Sequence, residues 1–166
     1  MKHLVSQAIN GVAYDLSKKN TGIAVFQGPE LEHVEQVSFQ HHDYFGDVLG
    51  GWQQLVLDHI ERFKPHWFAY EEVRPVNKYH SEQHFGMVGI LALEATRRDL
   101  PLIGVNTLTM RKHVLGNGRM TKTEVLSAMQ KRYGSRMVPT HDIADAICVG
   151  LHAVSIIRPG HVSQGE

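Results

Sequence analysis

Cysteine is nearly absent: Cys148 is the only one among 166 residues. A single cysteine forms no intrachain disulfide and supplies no cysteine-based zinc cluster. The chain also has no uninterrupted run of about 20 apolar residues, the length that crosses a bilayer. Its first residues, MKHLVSQAINGVAYD, contain no apolar block of the signal-peptide kind. We therefore expect a cytoplasmic protein with no membrane association.

An excess of either charge is missing as well. The 17 lysines and arginines balance the 17 aspartates and glutamates, so the formal net charge is zero. Such a balance argues against a protein that coats nucleic acid through its overall charge. Any DNA binding must therefore come from local clusters of basic residues. With 42% hydrophobic residues the chain can form one core of ordinary size. We expect one domain over residues 1–159, followed by a polar tail at 160–166.

The apolar residues that are present recur with the periods of strands and helices. Three strand-like segments come first, and helices and strands then alternate. This order favours an α/β fold in which five strands form a mixed sheet flanked by helices. The predicted strands are 9–15, 22–27, 31–39, 67–70 and 102–105; the predicted helices are 48–63, 83–98, 141–158 and the segment that begins at the capping box of Thr121 and Glu124.

Acidic residues stand where these elements begin or end. Asp15 closes the first strand, and Glu71 follows the apolar run WFAY of the fourth. If these two strands are parallel neighbours, their carboxyl ends bring Asp15 and Glu71 together at the edge where open α/β sheets place ligands. Asp142 and Asp145 are three residues apart at the start of the last predicted helix and project from one face. The sequence therefore predicts that four carboxylates converge.

Such a cluster repels itself unless cations neutralise it. Hard oxygen ligands favour Mg²⁺ or Mn²⁺ over zinc. Two such ions about 4 Å apart orient a water for attack on a phosphodiester and stabilise the departing oxygen. We therefore predict phosphodiester cleavage without a covalent intermediate. His141 adjoins the cluster and is a candidate metal ligand or general base, although in a chain with 12 histidines an adjacent one is not surprising.

Each acid also has a simpler interpretation. An acid after a strand is often a loop residue or a helix cap. Asp142 and Asp145 would also complement the positive end of the last helix. The joint occurrence of acids on the first strand, the fourth strand and the closing helix favours a shared site. Glu72, beside Glu71, is expected to be solvated.

Four segments resemble the sequence blocks of the RuvC-type Holliday junction resolvases, in the same order and over nearly the whole chain. They read AYDLSKKNTGIAVF, FAYEEV, VLGNGRMTKTEV and HDIADAICVG. The resemblance implies an RNase H-like fold, a homodimer, and symmetric nicking of four-way DNA junctions with two Mg²⁺ or Mn²⁺ ions per active site. It also implies that the metals bind Asp15, Glu71, Asp142 and Asp145, with Lys122 as the family's basic catalytic residue.

The chain departs from the family at two places. Bacterial members usually have Pro-Gly after the first aspartate, whereas Leu16 and Ser17 follow Asp15 here, as in divergent phage relatives. The family often has an aromatic residue three places beyond the glutamate, and here Arg74 stands there. A stacking wedge at that position is not expected, although arginine can lie against a base or contact phosphate.

Local positive charge is expected to hold the DNA, and solvated surface charge is the alternative. The candidate DNA-binding residues flank the Gly116 and Gly118 turn or follow Glu71; they are Arg74, Lys78, Arg111, Lys112, Arg119 and Lys122. A dimer would need a two-fold interface. The helix over 83–98 is our candidate, through Phe85, Met87, Ile90 and Leu91, with core packing of the same residues as the alternative.

Three rival functions stay open at this point. An aspartate followed by Thr-Gly between two strands also resembles the phosphate-binding hairpin of actin-like proteins, but that architecture needs a second lobe that 166 residues cannot supply. A flap or branched-DNA endonuclease of the same fold is the nearest competitor. A non-catalytic junction-binding module is the third, and it would not need four carboxylates beside its phosphate contacts.

Overall fold

The computed structural model describes residues 9–73 and 77–157. Within them the chain forms five strands and five helices. The strands are β1 (Asn10–Asp15), β2 (Thr21–Gln27), β3 (Glu30–Val37), β4 (Trp67–Glu72) and β5 (Leu102–Asn106). The helices are α1 (Phe45–Phe63), α2 (Lys78–Thr96), α3 (Thr107–Leu115), α4 (Lys122–Tyr133) and α5 (His141–Ile156).

The five strands form one mixed sheet in the order β3-β2-β1-β4-β5. Strand β2 pairs antiparallel with β1 on one side and with β3 on the other. Strand β4 pairs parallel with β1, and β5 pairs parallel with β4. This confirms the predicted architecture and the parallel pairing of the first and fourth strands. Tyr14 is paired with Tyr70 in the register of β1 and β4, so Asp15 and Glu71 are the next residues on their two strands.

Alternating side chains of the sheet face two separate cores. Val12, Tyr14 and Phe68 pack against α1 and α2 on one face. Ala13 and Ala69 pack against α5 on the other, where α3 and α4 also contribute. Asp15 and Glu71 each lie two residues beyond one of these alanines. Because side chains two residues apart on a strand share a face of the sheet, both acids emerge on the α5 face.

The close approach of α5 to the sheet depends on a small residue. A methyl group at Gly22 of β2 would overlap the backbone carbonyl of Asp142 at the start of α5. The same end of α5 is capped by Thr140, whose hydroxyl accepts a hydrogen bond from the Ile143 amide and donates one to Gln36 of β3 at 2.6 Å. The first turn of α5 is thereby fixed against the sheet beside the end of β1.

Most predicted elements are present with shifts of a few residues at their ends. The capping box is confirmed, since Thr121 and Glu124 exchange side-chain and backbone hydrogen bonds at the start of α4. Helix α2 begins earlier than predicted, at Lys78, because the Asn77 side chain caps it by accepting from the His80 amide. Helix α3 was not predicted. The proposed end of the last helix at Arg158 and the tail at 160–166 lie outside the described residues.

The predicted dimer face needs correction. Met87 and Leu91 are fully buried in the core between α2 and the sheet, so they are not available to a partner. Phe85 of the predicted face is exposed, and the other exposed large apolar side chains of α2 are Tyr79 and Leu93. Among the described residues, no helix combines the length and apolar character that spanning a membrane requires.

Candidate active site

Three carboxylates from three elements meet at the carboxyl end of β1. They belong to Asp15 at the end of β1, Glu71 near the end of β4 and Asp145 in the second turn of α5. One oxygen from each lies within 4.8 Å of the others. All three side chains are largely shielded from water, with residue exposures of 9%, 8% and 1% in that order. The predicted convergence is therefore present for three of the four acids.

Two cations lie against Asp145. The Arg111 guanidinium of α3 is 3.3 Å from one carboxylate oxygen and donates to the Met120 carbonyl at 2.8 Å. The Lys122 ammonium, at the start of α4, is 3.7 Å from the other oxygen. Arg111 is mostly buried, whereas the Lys122 side chain is 63% exposed and reaches the group from the solvent side. Lys122 can therefore reach another anion on the solvent side while Arg111 stays paired with Asp145.

Glu71 is oriented by a contact that the sequence analysis did not anticipate. The Thr107 hydroxyl, in the first turn of α3, donates to a Glu71 oxygen at 2.5 Å. Thr107 stands there because β5 runs parallel to β4 and ends beside it, with Asn106 capping the helix that follows. The hydroxyl fixes one carboxylate oxygen of Glu71 and leaves the other for a ligand.

Burial and mutual repulsion raise the proton affinity of the cluster. The pKa of Asp15 lies well above its ordinary value, first because of burial and then because of Glu71 and Asp145. The pKa of Glu71 is also raised, mainly by burial and by Asp145, although the Thr107 hydrogen bond opposes the shift. Ions of positive charge at this point would relieve both the desolvation and the repulsion.

Asp142 and His141 lie at the edge of this cluster. Asp142 is half-buried one turn before Asp145, and its charge contributes to the raised pKa of Asp15. It is outside the set of three whose oxygens lie within 4.8 Å. His141 is exposed, and its Nδ1 is 3.1 Å from the Lys122 carbonyl. That contact ties the start of α4 to the start of α5.

The other predicted DNA contacts are spread around the site. Lys112 and Arg119 are exposed and border a depression of about 380 Å³ beside the Gly116 turn. Lys78 is exposed at the start of α2 and forms an ion pair with Glu82 at 3.7 Å. Arg74 lies outside the described residues. Of the four cations that the sequence analysis assigned to the glycine turn, Lys112 and Arg119 border it, whereas Arg111 and Lys122 lie against Asp145.

Comparisons with known sequences point to one family. No protein-family model matches the chain. The "Crossover junction endodeoxyribonuclease RuvC" of Pseudoalteromonas translucida (strain TAC 125) is 31% identical over 141 residues, which are 81% of this chain and 79% of that protein. Two further proteins of the same name match over shorter segments. The chain spans 44% of the Ehrlichia chaffeensis protein, at 35% identity, and 56% of the Shewanella woodyi protein, at 29% identity.

Solved structures share the fold at lower sequence identity. The structure described as "T. thermophilus RuvC in complex with Holliday junction substrate" superposes with a TM-score of 0.74 at 19% identity, over 89% of this chain and 94% of that one. The yeast mitochondrial Holliday junction resolvase Ydc2 gives a TM-score of 0.64 at 15% identity, over 89% of this chain and 78% of that one. The five-stranded mixed sheet with its five helices is thus an RNase H-like fold.

Proposed function

The chain belongs to the RuvC family of crossover junction endodeoxyribonucleases, and from that premise we propose that it resolves four-way DNA junctions by metal-dependent phosphodiester hydrolysis. The observation that supports this most directly is the meeting of Asp15, Glu71 and Asp145, buried and within 4.8 Å of one another. A non-catalytic binding module has no use for buried negative charge beside its phosphate contacts, because that charge weakens DNA binding.

The site fits divalent metal ions by its chemistry. Its donors are carboxylate oxygens, which suit Mg²⁺ or Mn²⁺, and the cluster includes no histidine or thiolate. We propose Asp15, Glu71 and Asp145 as ligands, and Asp142 as a further ligand to the second of two ions. Two bound ions would supply the Lewis acidity that activates a water and stabilises the leaving oxygen.

The protein side chains around the carboxylates have separate roles in this proposal. Thr107 holds Glu71 in one orientation through its hydroxyl. Arg111 keeps Asp145 in place and stays largely buried. Lys122 is exposed and 3.7 Å from Asp145, so its ammonium is placed to contact the phosphate that enters the site. We assign positioning to Thr107 and Arg111, and phosphate contact to Lys122.

The DNA backbone would continue from this site over the glycine turn. Lys112 and Arg119 present their charges to solvent on either side of Gly116, which adopts a left-handed conformation with a φ of 82°. This conformation suits glycine and lets the backbone approach a phosphate closely. Positive charge that borders a carboxylate site is the arrangement that draws a phosphodiester to bound ions.

A homodimer through α2 completes the proposal, because paired nicks in a two-fold junction need two sites. Phe85 and Leu93 are 56% and 46% exposed and lie eight residues apart. Gly89, halfway between them, faces open space. Residues spaced by four lie on one helix face, so this apolar face can pack against its own copy. Sedimentation of the wild type and of Leu93→Glu measures whether the dimer forms there.

A matched pair of variants tests the active site. Four-way, three-way, flap and linear duplex DNA are incubated with the protein, with and without Mg²⁺ or Mn²⁺. We expect metal-dependent paired nicks near the four-way branch point that disappear in Glu71→Gln and persist in Glu72→Gln, whose adjacent carboxylate is exposed. An equal loss of cleavage in both variants would contradict the proposed site. A preference for cutting flaps would indicate the broader branched-DNA nuclease. Junction binding without nicking would indicate the non-catalytic binding module.

A further inference from the structure

Two histidines face each other across the contact between α3 and α5. His113 lies in the last turn of α3, and His152 lies near the end of α5. Their Nδ1 atoms are 3.3 Å apart, and the two rings meet edge to face with centroids 5.0 Å apart. His152 is seven residues beyond Asp145, which is about 10 Å along the helix axis. This histidine pair is therefore separate from the carboxylates.

The separation of the two nitrogens fits a shared metal ion. Zinc binds imidazole nitrogen at about 2.0–2.1 Å and is tetrahedral in most protein sites, so two of its nitrogen ligands lie roughly 3.3–3.4 Å apart. The two Nδ1 atoms have this separation. Two nitrogens at right angles on one ion, as in square-planar copper, would be only about 2.9 Å apart. The histidine pair thus has the spacing of one edge of a zinc-centred tetrahedron.

The same contact would also suit a direct hydrogen bond. In that bond one ring carries its proton on Nδ1 and the other accepts there. The bond would be long, since N–H donors usually lie about 2.7–3.2 Å from their acceptors. Zinc would leave a pair of this kind unchanged, whereas a pair that binds zinc gives up the proton between the two nitrogens. The two arrangements are therefore separable by titration with the ion.

The surroundings of the histidine pair allow an ion to enter. His113 is exposed and His152 is partly exposed, so water can fill the other positions on the ion. Among the described residues, no third histidine, cysteine, aspartate or glutamate completes a group around the pair. Burial and the neighbouring His113 lower the pKa of His152, so its imidazole is neutral near pH 7, the form that binds metals. Imidazole ligands suit zinc, whereas magnesium and calcium prefer oxygen.

We propose that His113 and His152 bind one tetrahedral zinc ion through their Nδ1 atoms, with water at its remaining positions, and that this ion fastens α3 to α5. The site goes beyond the function proposed above, because neither ligand belongs to the carboxylate cluster. Its effect nevertheless reaches that cluster. Helix α3 also carries Arg111, which contacts Asp145 of α5, so a tie between the two helices restrains that contact.

Histidine side-chain NMR locates the ion directly. Long-range nitrogen–proton spectra distinguish Nδ1 from Nε2 of each ring during titration with zinc chloride up to about 1 mM, which reveals sites with a Kd of that order or tighter. We expect zinc to shift the Nδ1 signals of His113 and His152 together, at one ion per pair. His113→Asn and His152→Asn should each weaken this binding by about tenfold or more. The exposed control His80→Asn should leave it unchanged.

Two results of this titration would overturn the site. Zinc that leaves both Nδ1 signals in place at the highest concentration would show that the pair is only hydrogen-bonded. A shift of one ring that persists after the other histidine is replaced would show binding to single surface histidines. Cobalt(II) adds a check of geometry, since its tetrahedral complexes absorb visible light far more strongly than its octahedral ones. The strong bands should appear with wild type and vanish in either histidine variant; weak bands alone would contradict the tetrahedron.

Amide hydrogen exchange tests whether the ion fastens the two helices. Zinc at ten times its Kd favours the joined pair over any opened state by about elevenfold, so exchange through local opening of α3 should slow by up to that factor. His152→Asn changes only the partner helix, and it should abolish the slowing in α3. Unaltered exchange in α3, in a protein whose Nδ1 signals do shift, would overturn the fastening role.

A variant of the carboxylates separates this site from the proposed active site. Asp15→Asn removes a proposed magnesium ligand and leaves both histidines in place. The Nδ1 signals of the histidine pair should respond to zinc in this variant as they do in wild type. Loss of the response would overturn the proposal, because zinc would then be acting from the carboxylates. A chain that binds zinc at the pair but cuts no junction would contradict the junction-cleaving function and leave this site intact.

Discussion

Replacing Asp15 by asparagine should stabilise the metal-free protein while it abolishes cleavage. Asp15 shares a buried cluster with Glu71 and Asp145, and a carboxylate oxygen of each lies within 4.8 Å of the others. Two unit charges at that separation repel by about 3.5 kcal/mol at an effective dielectric constant of about 20. An amide of the same shape removes the repulsion and the desolvation of one charge, and it keeps the packing.

The net gain in the free energy of unfolding is smaller than the sum of the repulsions of Asp15 by Glu71 and by Asp145. Arg111 and Lys122 already offset part of the negative charge. Protonation limits the rest, because the pKa of Asp15 is well above its ordinary value through burial and through Glu71 and Asp145. We expect a gain of about 1–3 kcal/mol in the free energy of unfolding at pH 7. For a chain of this size that corresponds to a rise in Tm of roughly 2–12 °C.

Thermal unfolding in chelator is the assay, repeated in Mg²⁺ and at two pH values. A carboxyl group whose pKa is raised in the folded state destabilises that state as the pH rises from the ordinary carboxyl pKa through the raised one. Wild type should therefore lose stability relative to Asp15→Asn as the pH rises from the ordinary aspartate pKa of 3.8 to 7. Saturation with an ion at tenfold its Kd should stabilise wild type by about 1.4 kcal/mol, and the variant much less.

A metal-free Asp15→Asn variant that melts below wild type would contradict the predicted repulsion among the carboxylates. Equal stabilisation of the two proteins by Mg²⁺ would also refute the prediction, because the ions would then bind elsewhere. Glu72→Gln is the control, since Glu72 is exposed beside Glu71. It should match wild type in chelator and in Mg²⁺.

Three further predictions concern single contacts. Thr107→Val removes the 2.5 Å hydrogen bond to Glu71 and should lower the cleavage rate at limiting Mg²⁺ by about tenfold, with recovery at high Mg²⁺; an unchanged metal titration would contradict the positioning role. Lys122→Ala should slow cleavage and flatten its salt dependence without shifting the Tm, whereas Lys131→Ala, at the other end of α4, should do neither. The pKa of Glu35 is lowered, first by its hydrogen bond from His59. The stabilisation of the folded state that this ionised carboxylate provides is therefore present above the ordinary glutamate pKa and is lost as the pH falls through the lowered one. Glu35→Gln should thus melt below wild type by an amount on the order of 1 kcal/mol at pH 7, and the difference should shrink as the pH falls below the ordinary glutamate pKa of 4.5.

The strands that hold the acids were predictable from the sequence because they are buried on both faces. A strand covered by helices on both sides is a continuous apolar run, and an acid that ends such a run stands out. Asp15 and Glu71 were identified in this way. Their proximity then followed from one assumption, the parallel pairing of β1 with β4, which the register confirms. The roles assigned to them stay predictions.

Helix α3 was missed because its apolar periodicity is weak. Met110 is its one buried residue among nine, so the segment has no apolar stripe to recognise. A signal was nevertheless present in its caps. The Asn106 side chain accepts from the amides of Leu108 and Thr109, and Gly116 ends the helix with a positive φ. An asparagine ten residues before a glycine indicates such a helix only when the two caps are weighed together.

The missed helix explains how contacts within the protein fix the geometry of the carboxylates. Thr107 and Arg111 are four residues apart and so lie on one face of α3. From that face the hydroxyl holds Glu71 and the guanidinium holds Asp145, which come from a strand and from another helix. The end of β5 fixes α3 at Asn106, so the sheet itself sets the spacing of two of the proposed ligands. In the proposed metal site of the carboxylates these contacts would order the ligands, so little of the free energy of metal binding would be consumed in ordering them. Metal affinity should therefore depend on α3 as much as on the acids themselves.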